Sequence, residues 1–576
     1  MKGMSSVYNL VQNLFSAIQT EKTISPSSFD NLNFEAKKIN NEILLLISVC
    51  YEITGFCVCQ GRGDTFKMAI HSALNTYYQN TNHKRLKPKS LRLDIITEIH
   101  PAKNANPLMD IQRDEILYKQ GLDGLALGNN FEVLFLPEEV MIHQIIQNHK
   151  LQVAGVKNAL KKHYLPSINE DLIPSISNAL ELEVYNIRTA SYYIDENGPF
   201  SLFNGHRLFR SISKEDIMDA ILLTKDHYFK HVVNKKGKFS YSYLPQENQN
   251  EKSYNILRHA GTTYSILETY ELIPDKKLLK IAESAMDFLL DKVRNFKIKG
   301  SSVSAVIEKD ILKLGGNALA IIALAKYTQI TKNQKHLPLM QRMATWIRET
   351  QDEEGRFTVH KKQFSTGEMF DLISHYYPGE AMLSLIRLYQ IDGNAAWLDT
   401  VERSAHYLIH IRDKDANIDT IAHDHWLLYA LNELYRERPK ALYLNHALFI
   451  SQAIIKSQNT DHDEISHGAY GQPQPRLEST PTACRSEGLC ATYHLTKDFG
   501  LETEYTKIKT TIQNGIRFQL QTQLRAESVM YYENKNLCLG AFQRGLTQYD
   551  LRIDFTQHNI SSLIAYYRIL SEQNQP

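Results

Sequence analysis

Over the last 360 or so residues of this chain, an apolar helix of about a dozen residues begins six times behind a short charged or glycine-containing cluster. The clusters read Arg258-His259-Ala260-Gly261, Gly315-Gly316-Asn317, Tyr377-Pro378-Gly379-Glu380, His423-Asp424-His425-Trp426, Arg485-Ser486-Glu487-Gly488 and Asp554-Phe555-Thr556-Gln557-His558. Between them lie amphipathic stripes at i, i+3/i+4 spacing, such as Leu278-Ile281-Ala285-Phe288 and Trp397-Val401-Ala405-Leu408, the mark of helices with one buried face. The helices behind the clusters are apolar on more sides, as expected of helices surrounded by others. Links from a cluster helix to the next striped helix are short, as at Ile273-Pro274-Asp275, whereas links back to the next cluster are long, as at 351–377 and 524–553. Alternating inner and outer helices would gather the long loops and all six clusters on one face. A repeat this long reads as stacked helical pairs, and loops that long in a compact domain usually carry function.

Upstream the texture changes. Ile43–Cys50, Phe56–Cys59 and Glu132–Leu136 are expected strands, Leu91–Ile99 a half-buried alternating strand, and Phe66–Tyr78 a helix. The expected division is an N-terminal segment 1–34, an α+β domain 35–170, a connector 171–212 with extended character at Leu182–Tyr193, and an all-α domain 213–576. The fold class is therefore α+β followed by all-α.

Two resemblances attach to these residues. The segments Leu91-Arg92-Leu93-Asp94-Ile95-Ile96-Thr97-Glu98, Gly121-Leu122-Asp123-Gly124-Leu125-Ala126-Leu127 and Leu134-Phe135-Leu136-Pro137-Glu138-Glu139-Val140 resemble ordered signposts of the AMMECR family, which implies a small α+β domain and a surface for a protein partner. That family carries an arginine-glycine-cysteine strand. Here the order is Cys57-Val58-Cys59-Gln60-Gly61-Arg62-Gly63, so no reactive cysteine is carried over. The six helical hairpins resemble the (α/α)6 toroid shared by glycoside hydrolases, sugar epimerases, polysaccharide lyases, and lanthionine and terpenoid cyclases. Such a fold hosts many chemistries, so the residues must choose.

Whole-chain composition removes some options. Lys+Arg 65 against Asp+Glu 64 offers no electrostatic case for nucleic acid. Six scattered cysteines without paired C-x-x-C spacing fit reduced thiols in a cytoplasmic protein, and the longest apolar run, Ile43 to Tyr51, is too short to span a membrane. No cofactor is expected. No metal is expected either, because Cys484 and Cys490 have no histidine beside them in sequence, and Asp461-His462-Asp463-Glu464 lacks the glycine of a calcium loop.

The clusters supply the candidate chemistry. Glu380, Asp424, Glu487 and Asp554 fall at the starts of different inner helices, where acids cap free N–H groups. Four converging in one funnel would instead raise one another's pKa, as acid/base chemistry on a glycoside requires. Tyr377 and His425 are their expected catalytic partners, and Arg258, His259, Asn317, Trp426, Arg485, Phe542, Arg552, Gln557 and His558 the expected substrate contacts. Asp424 and Glu487 are the leading acid/base pair, each with an ionisable neighbour. The reading is a carbohydrate-active enzyme, a glycoside hydrolase or sugar epimerase acting on a small-molecule or oligosaccharide substrate. The alternatives are a peptide or natural-product modifying toroid and a non-catalytic scaffold.

Overall fold

The computed structural model describes residues 2–21, 24, 26–29, 38–51, 55–79, 86–102, 116–164, 183–203, 205–461, 466–470 and 478–572. The start of the 171–212 connector and most of the Asp461–Glu464 segment lie outside them.

The first unit is built on one sheet. Its strands are β1 (Ile43–Tyr51), β2 (Phe56–Gly63), β3 (Pro88–Pro101), β4 (Gly124–Leu127), β5 (Val133–Phe135), β6 (His163–Tyr164), β7 (Val184–Asp195), β8 (Gly198–Phe203) and β9 (His206–Arg207). They run in the order β9-β8-β7-β3-β1-β2-β6, with β4 on the end of β7 and β5 beside it. All pairs are antiparallel except β2 with β6. The unbroken apolar run of β1 has a simple cause: both faces of the strand are covered. Ile43, Leu45, Ile47 and Val49 meet helices α1 (Lys2–Thr20) and α2 (Phe66–Gln79), while Leu44, Leu46 and Cys50 meet Met530 and Tyr531 from the far end of the chain.

Three expectations change here. The 171–212 connector instead supplies β7, a ten-pair neighbour of β3 from Leu91↔Ile194 to Pro101↔Tyr185, so it is part of the sheet. The 1–34 segment contributes α1, whose Leu10, Val11, Leu14 and Ile18 are buried on that sheet. The strand at Leu91–Ile99 is buried on both sides as far as Ile96 rather than half-buried, because the second unit covers the face expected to be wet.

The second unit contains twelve helices in alternation: α3 (Lys214–Leu223), α4 (Ile256–Leu272), α5 (Lys276–Leu290), α6 (Leu314–Thr331), α7 (Leu337–Glu349), α8 (Tyr376–Asp392), α9 (Ala395–Tyr407), α10 (His425–Glu437), α11 (Ala441–Lys456), α12 (Ser479–Asp498), α13 (Glu502–Gln521) and α14 (Ile553–Glu572). The even-numbered helices pack each on the next, and α14 packs back on α4, closing an inner ring. Helix α6 shows what this asks of a sequence: every residue from Leu314 to Thr328 is buried. Helix α5, outside, buries only the stripe Leu278, Ala282, Ala285, Met286 and Leu289. The first outer helix, α3, packs against the last inner helix, α14, so the chain's two ends of the ring meet.

Short links between inner and outer helices are made by local caps. Asp275 accepts a hydrogen bond from Lys277 N at the start of α5, and Gly393, with φ 68°, ends α8 in the left-handed conformation before Asn394 caps α9. The long links are not loops throughout. They form two four-stranded antiparallel sheets, one joining 242–244, 249–250, 543–545 and 548–552, the other 293–298, 301–308, 311–313 and 361–363. The second unit is therefore a helical ring with β trimmings rather than all-α. Segments of this length packed against a ring end need partners for their backbone groups, and strand pairing provides them. Among the described residues, no helix is long and apolar enough to cross a membrane.

Candidate active site

The N-termini of all six inner helices share one end of the ring, and a cavity of about 650 Å³ opens there. Its wall draws on Asn255, Leu257 and Arg258 before and on α4, Leu319 of α6, Tyr376, Tyr377 and Glu380 of α8, and His423, His425 and Trp426 at α10. Glu478, Thr480, Pro481, Cys484 and Arg485 come from α12, and Arg544, Arg552, Asp554, Phe555, Gln557 and His558 from α14 and the strands before it. Close approach of the helices depends on glycine. A Cβ on Gly315 would lie 2.1 Å from Glu380 Oε2, and one on Gly488 would lie 3.1 Å from the Cα of His425.

Of the expected residues, Glu380, Tyr377, His425, Asp554, Arg258, Trp426, Arg485, Arg552, Gln557 and His558 line this cavity together. Five do not. Asp424 is fully buried behind the wall as the cap of α10, accepting from Trp426 N at 3.1 Å and Leu427 N at 3.2 Å. Glu487 lies one layer back, accepting from His558 Nδ1 at 3.2 Å with His425 Nε2 at 3.7 Å. His259 is a core residue: its ring nitrogens meet Tyr254 Oη at 2.7 Å and the Ala285 carbonyl at 2.8 Å, and burial pushes its pKa down to about 4. Asn317 ties a β-hairpin to α6 by accepting from Val306 N and donating to the Lys313 carbonyl. Phe542 is wholly buried in the core. Each of these five answers to an ordinary structural need that polar or aromatic residues at helix starts can meet.

The carboxylates differ sharply. Asp554 receives Arg258 Nε at 2.9 Å and Arg552 Nε and Nη2 at 2.6 and 3.0 Å. Burial raises its pKa, but the two guanidinium groups more than compensate and hold it below its ordinary value. Glu380 has no hydrogen-bond partner among the described residues, and burial, reinforced by the nearby Asp424, raises its pKa to about 8. It therefore carries a proton at neutral pH. Burial raises Asp424 and Glu487 to about 7 each, with Arg412 opposing at the first and His558 at the second. Tyr376 and Tyr377, raised by burial to about 12, act at neutral pH as donors rather than bases.

Two imidazoles complete the wall. His425, on α10, and His558, on α14, face each other with ring centroids 5.2 Å apart at 82°. Both ring nitrogens of His425 are buried without a partner, and burial, with His558 and Arg485 nearby, pushes its pKa well below the ordinary value. Burial acts the same way on His558, but hydrogen bonds and charge from Cys484 and Glu487 outweigh it and hold the ring protonated. A neutral imidazole thus faces a charged one. Burial pushes the Cys484 thiol up, with His558 and Arg485 beside it opposing.

Comparison with known proteins places the chain beside remote structures only. No family model matches it, and no curated protein does. Among solved structures it is similar to cellobiose 2-epimerase from Bacillus thermoamylovorans, at 12% identity over 62% of this chain and 99% of that one, with a TM-score of 0.47. It is also similar to a D-mannose isomerase, at 14% identity over 62% and 98% of the two chains (TM-score 0.44), and to an α-1,6-mannanase of Salegentibacter, at 12% over 62% and 99% (TM-score 0.42). The AMMECR resemblance expected of the first unit is supported by no family model. Arg92, Asp94, Glu138 and Glu139 of the segments that carry it converge in the structure, where Arg92 bonds Asp94 and Glu138, and Glu139 bonds His163.

Sequence reasoning passed over Cys484, Phe555 and the joint role of the two histidines. Cys484 was set aside for want of a histidine beside it, yet His558 arrives from 74 residues downstream when the ring closes. One signal was available: Cys484 and Glu487 stand at i, i+3 on one helix face. The donor atoms of His425, Cys484 and His558 lie within 4.8 Å of one another, so this trio could also accept a divalent metal. Glu487 already gives His558 a hydrogen-bond partner without one.

Proposed function

We propose that this chain is a carbohydrate-active enzyme that removes and returns a proton at a sugar carbon beside a carbonyl group, as epimerases and isomerases do. One observation supports this above the others: His425, neutral and unpartnered, faces His558, protonated and held by Glu487, across the cavity wall. Moving a proton to and from such a carbon needs a ready base and an acid close together, and two adjoining imidazoles of opposite protonation offer both near neutral pH. Glu487, through Nδ1, and Cys484 together fix the orientation of His558. Glu380, protonated, can donate a hydrogen bond to the carbonyl oxygen as charge builds there.

The cavity suits a sugar. Its volume is in the range of small-ligand pockets, and Trp426, Tyr376, Tyr377 and Phe555 set apolar faces beside the polar Asn255 and Gln557. Glu380 also favours a second reading, glycoside cleavage, since a carboxylic acid kept neutral is the group that protonates a leaving oxygen. That mechanism needs an ionised carboxylate opposite. Asp554 is engaged by two arginines, which leaves Glu478 for that role. Incubating the protein with a panel of aldoses, uronic acids and short oligosaccharides in D2O separates the two. Epimerisation incorporates deuterium at the reacting carbon without releasing new reducing ends. Release of reducing ends with no carbon-bound deuterium would replace it with hydrolysis.

A further inference from the structure

Four guanidinium groups line the cavity, and three of them already meet a carboxylate. Arg258 and Arg552 share Asp554, and Arg544 donates to Asp550 at 2.6 Å. Arg485 is different. Its Nε donates to His423 Nδ1 at 2.9 Å, its Nη1 to the Pro481 carbonyl at 3.2 Å, and its guanidinium lies 5.9 Å from the Tyr470 ring centroid. Every one of these partners is uncharged, because an Nδ1 that accepts a hydrogen bond carries no proton. Among the described residues, no carboxylate pairs with Arg485.

From this we infer that Arg485 anchors a single carboxylate on the substrate, so that the cavity takes a sugar acid in preference to a neutral sugar. The inference rests on the reading of the cavity as a sugar site and names the class of sugar. Five N–H groups belong to a guanidinium, and the two bonds above use one on Nε and one on Nη1. One on Nη1 and two on Nη2 remain, the edge that meets both oxygens of a planar carboxylate in parallel. The planar fork of this edge fits a planar carboxylate. Arg485 also stands on the same helix as Cys484 and Glu487, beside the facing histidines. Negative charge that develops on the carboxyl group as His425 takes a neighbouring carbon-bound proton would therefore form against a fixed cation.

The test is calorimetric titration of the full chain with D-glucuronate, D-galacturonate and D-mannuronate, each against its neutral sugar and its 6-phosphate. At least one uronate should bind about 10–100-fold more tightly than its neutral counterpart, the range of a charge-assisted hydrogen-bonded pair. Arg485→Gln should abolish that preference, and Arg485→Lys should restore part of it. Equal binding of neutral and acidic sugars, preference for the phosphates, unchanged uronate affinity in Arg485→Gln, or no uronate binding would each overturn the assignment. The wild-type comparison decides even if a variant does not fold. Deuterium exchange without carboxylate preference sinks the anchor alone, while carboxylate preference without exchange sinks the proton-transfer reading alone.

Discussion

Two buried clusters of charged residues sit in this molecule, and they are built on opposite plans. In the first unit, Arg92 on β3 is wholly buried and bonds Asp94 Oδ1 at 2.8 Å and Glu138 Oε1 at 2.6 Å, with Ser191 also donating to Asp94. Tyr531, from the second unit, lies over the guanidinium and donates to Ser48 across the same contact. Every member of this group meets an opposite charge or a hydrogen-bond partner within its own fold. At the cavity, Glu380 and both ring nitrogens of His425 are just as buried yet have no hydrogen-bond partner among the described residues. Desolvating a titratable group without a partner is costly, so a fold keeps such groups only where something outside the fold completes them. Charge paired within reads as cement between the two units, and charge left waiting reads as chemistry.

The sharpest way to break this contrast is at His425. Replacement by Asn should lower the rate of deuterium exchange about 10²–10⁴-fold while the melting temperature stays close to wild type, because the ring makes no hydrogen bond that the fold would lose. A variant that exchanges at the wild-type rate would mean that the imidazole is only packing.

Glu380 should show the cost of waiting. Its folded pKa, about 8, lies above its unfolded value, so the protonated acid stabilises the fold fully below about pH 4.5. That contribution is lost progressively as pH rises toward 8, by up to about 5 kcal/mol. Glu380→Gln, which carries no charge at any pH, should therefore melt higher than wild type at pH 8 and show a flatter decline between pH 5 and 8, with reduced turnover. A wild-type melting temperature that rises over that interval relative to the variant would contradict the assignment.

Arg92→Met probes the other plan. Two buried carboxylates would lose their shared cation, at about 3–5 kcal/mol, measurable by denaturant titration. Deuterium exchange below the melting transition should be unaffected. The smallest effect belongs to Asp424→Asn. Asparagine caps a helix about as well as aspartate, so stability and turnover should both change little, and a loss of turnover above tenfold would return Asp424 to the reaction.

What the sequence could say depended on how local each signal was. The alternation of inner and outer helices is written in each helix's own apolar pattern, and links such as Ile273-Pro274-Asp275 carry their caps within a few residues, so the ring and its long-loop face were legible. The gathering of Glu380, Asp554, Arg258 and His558 was legible too, because it follows from equivalent places in a repeat. Acid at the start of a helix, however, does one of two jobs that sequence cannot separate. Asp424 turns inward to cap α10, while Glu380, one turn into α8, faces the cavity. Pairings across long distances were hidden for the same reason. Nothing near Cys484 announces His558, nothing near Val184 announces β3, and the burial of both faces of β1 depends on Met530 and Tyr531, some 480 residues away.

The closure of the ring by α14 against α3 and α4 carries a further consequence, for the chain as it is made. Ribosomes deliver residues in order, at about 5–20 per second, and early domains fold while later ones are still being added. The sheet of the first unit lacks its second cover until Met530 and Tyr531 emerge, and five inner helices stand as an open arc until Ile553–Glu572 follows. That last helix also brings Asp554 and His558. Nascent chains that have passed His425 but not yet reached Ile553 therefore hold His425 and Glu380 in an unfinished wall, and the two imidazoles meet only once the arc has become a circle.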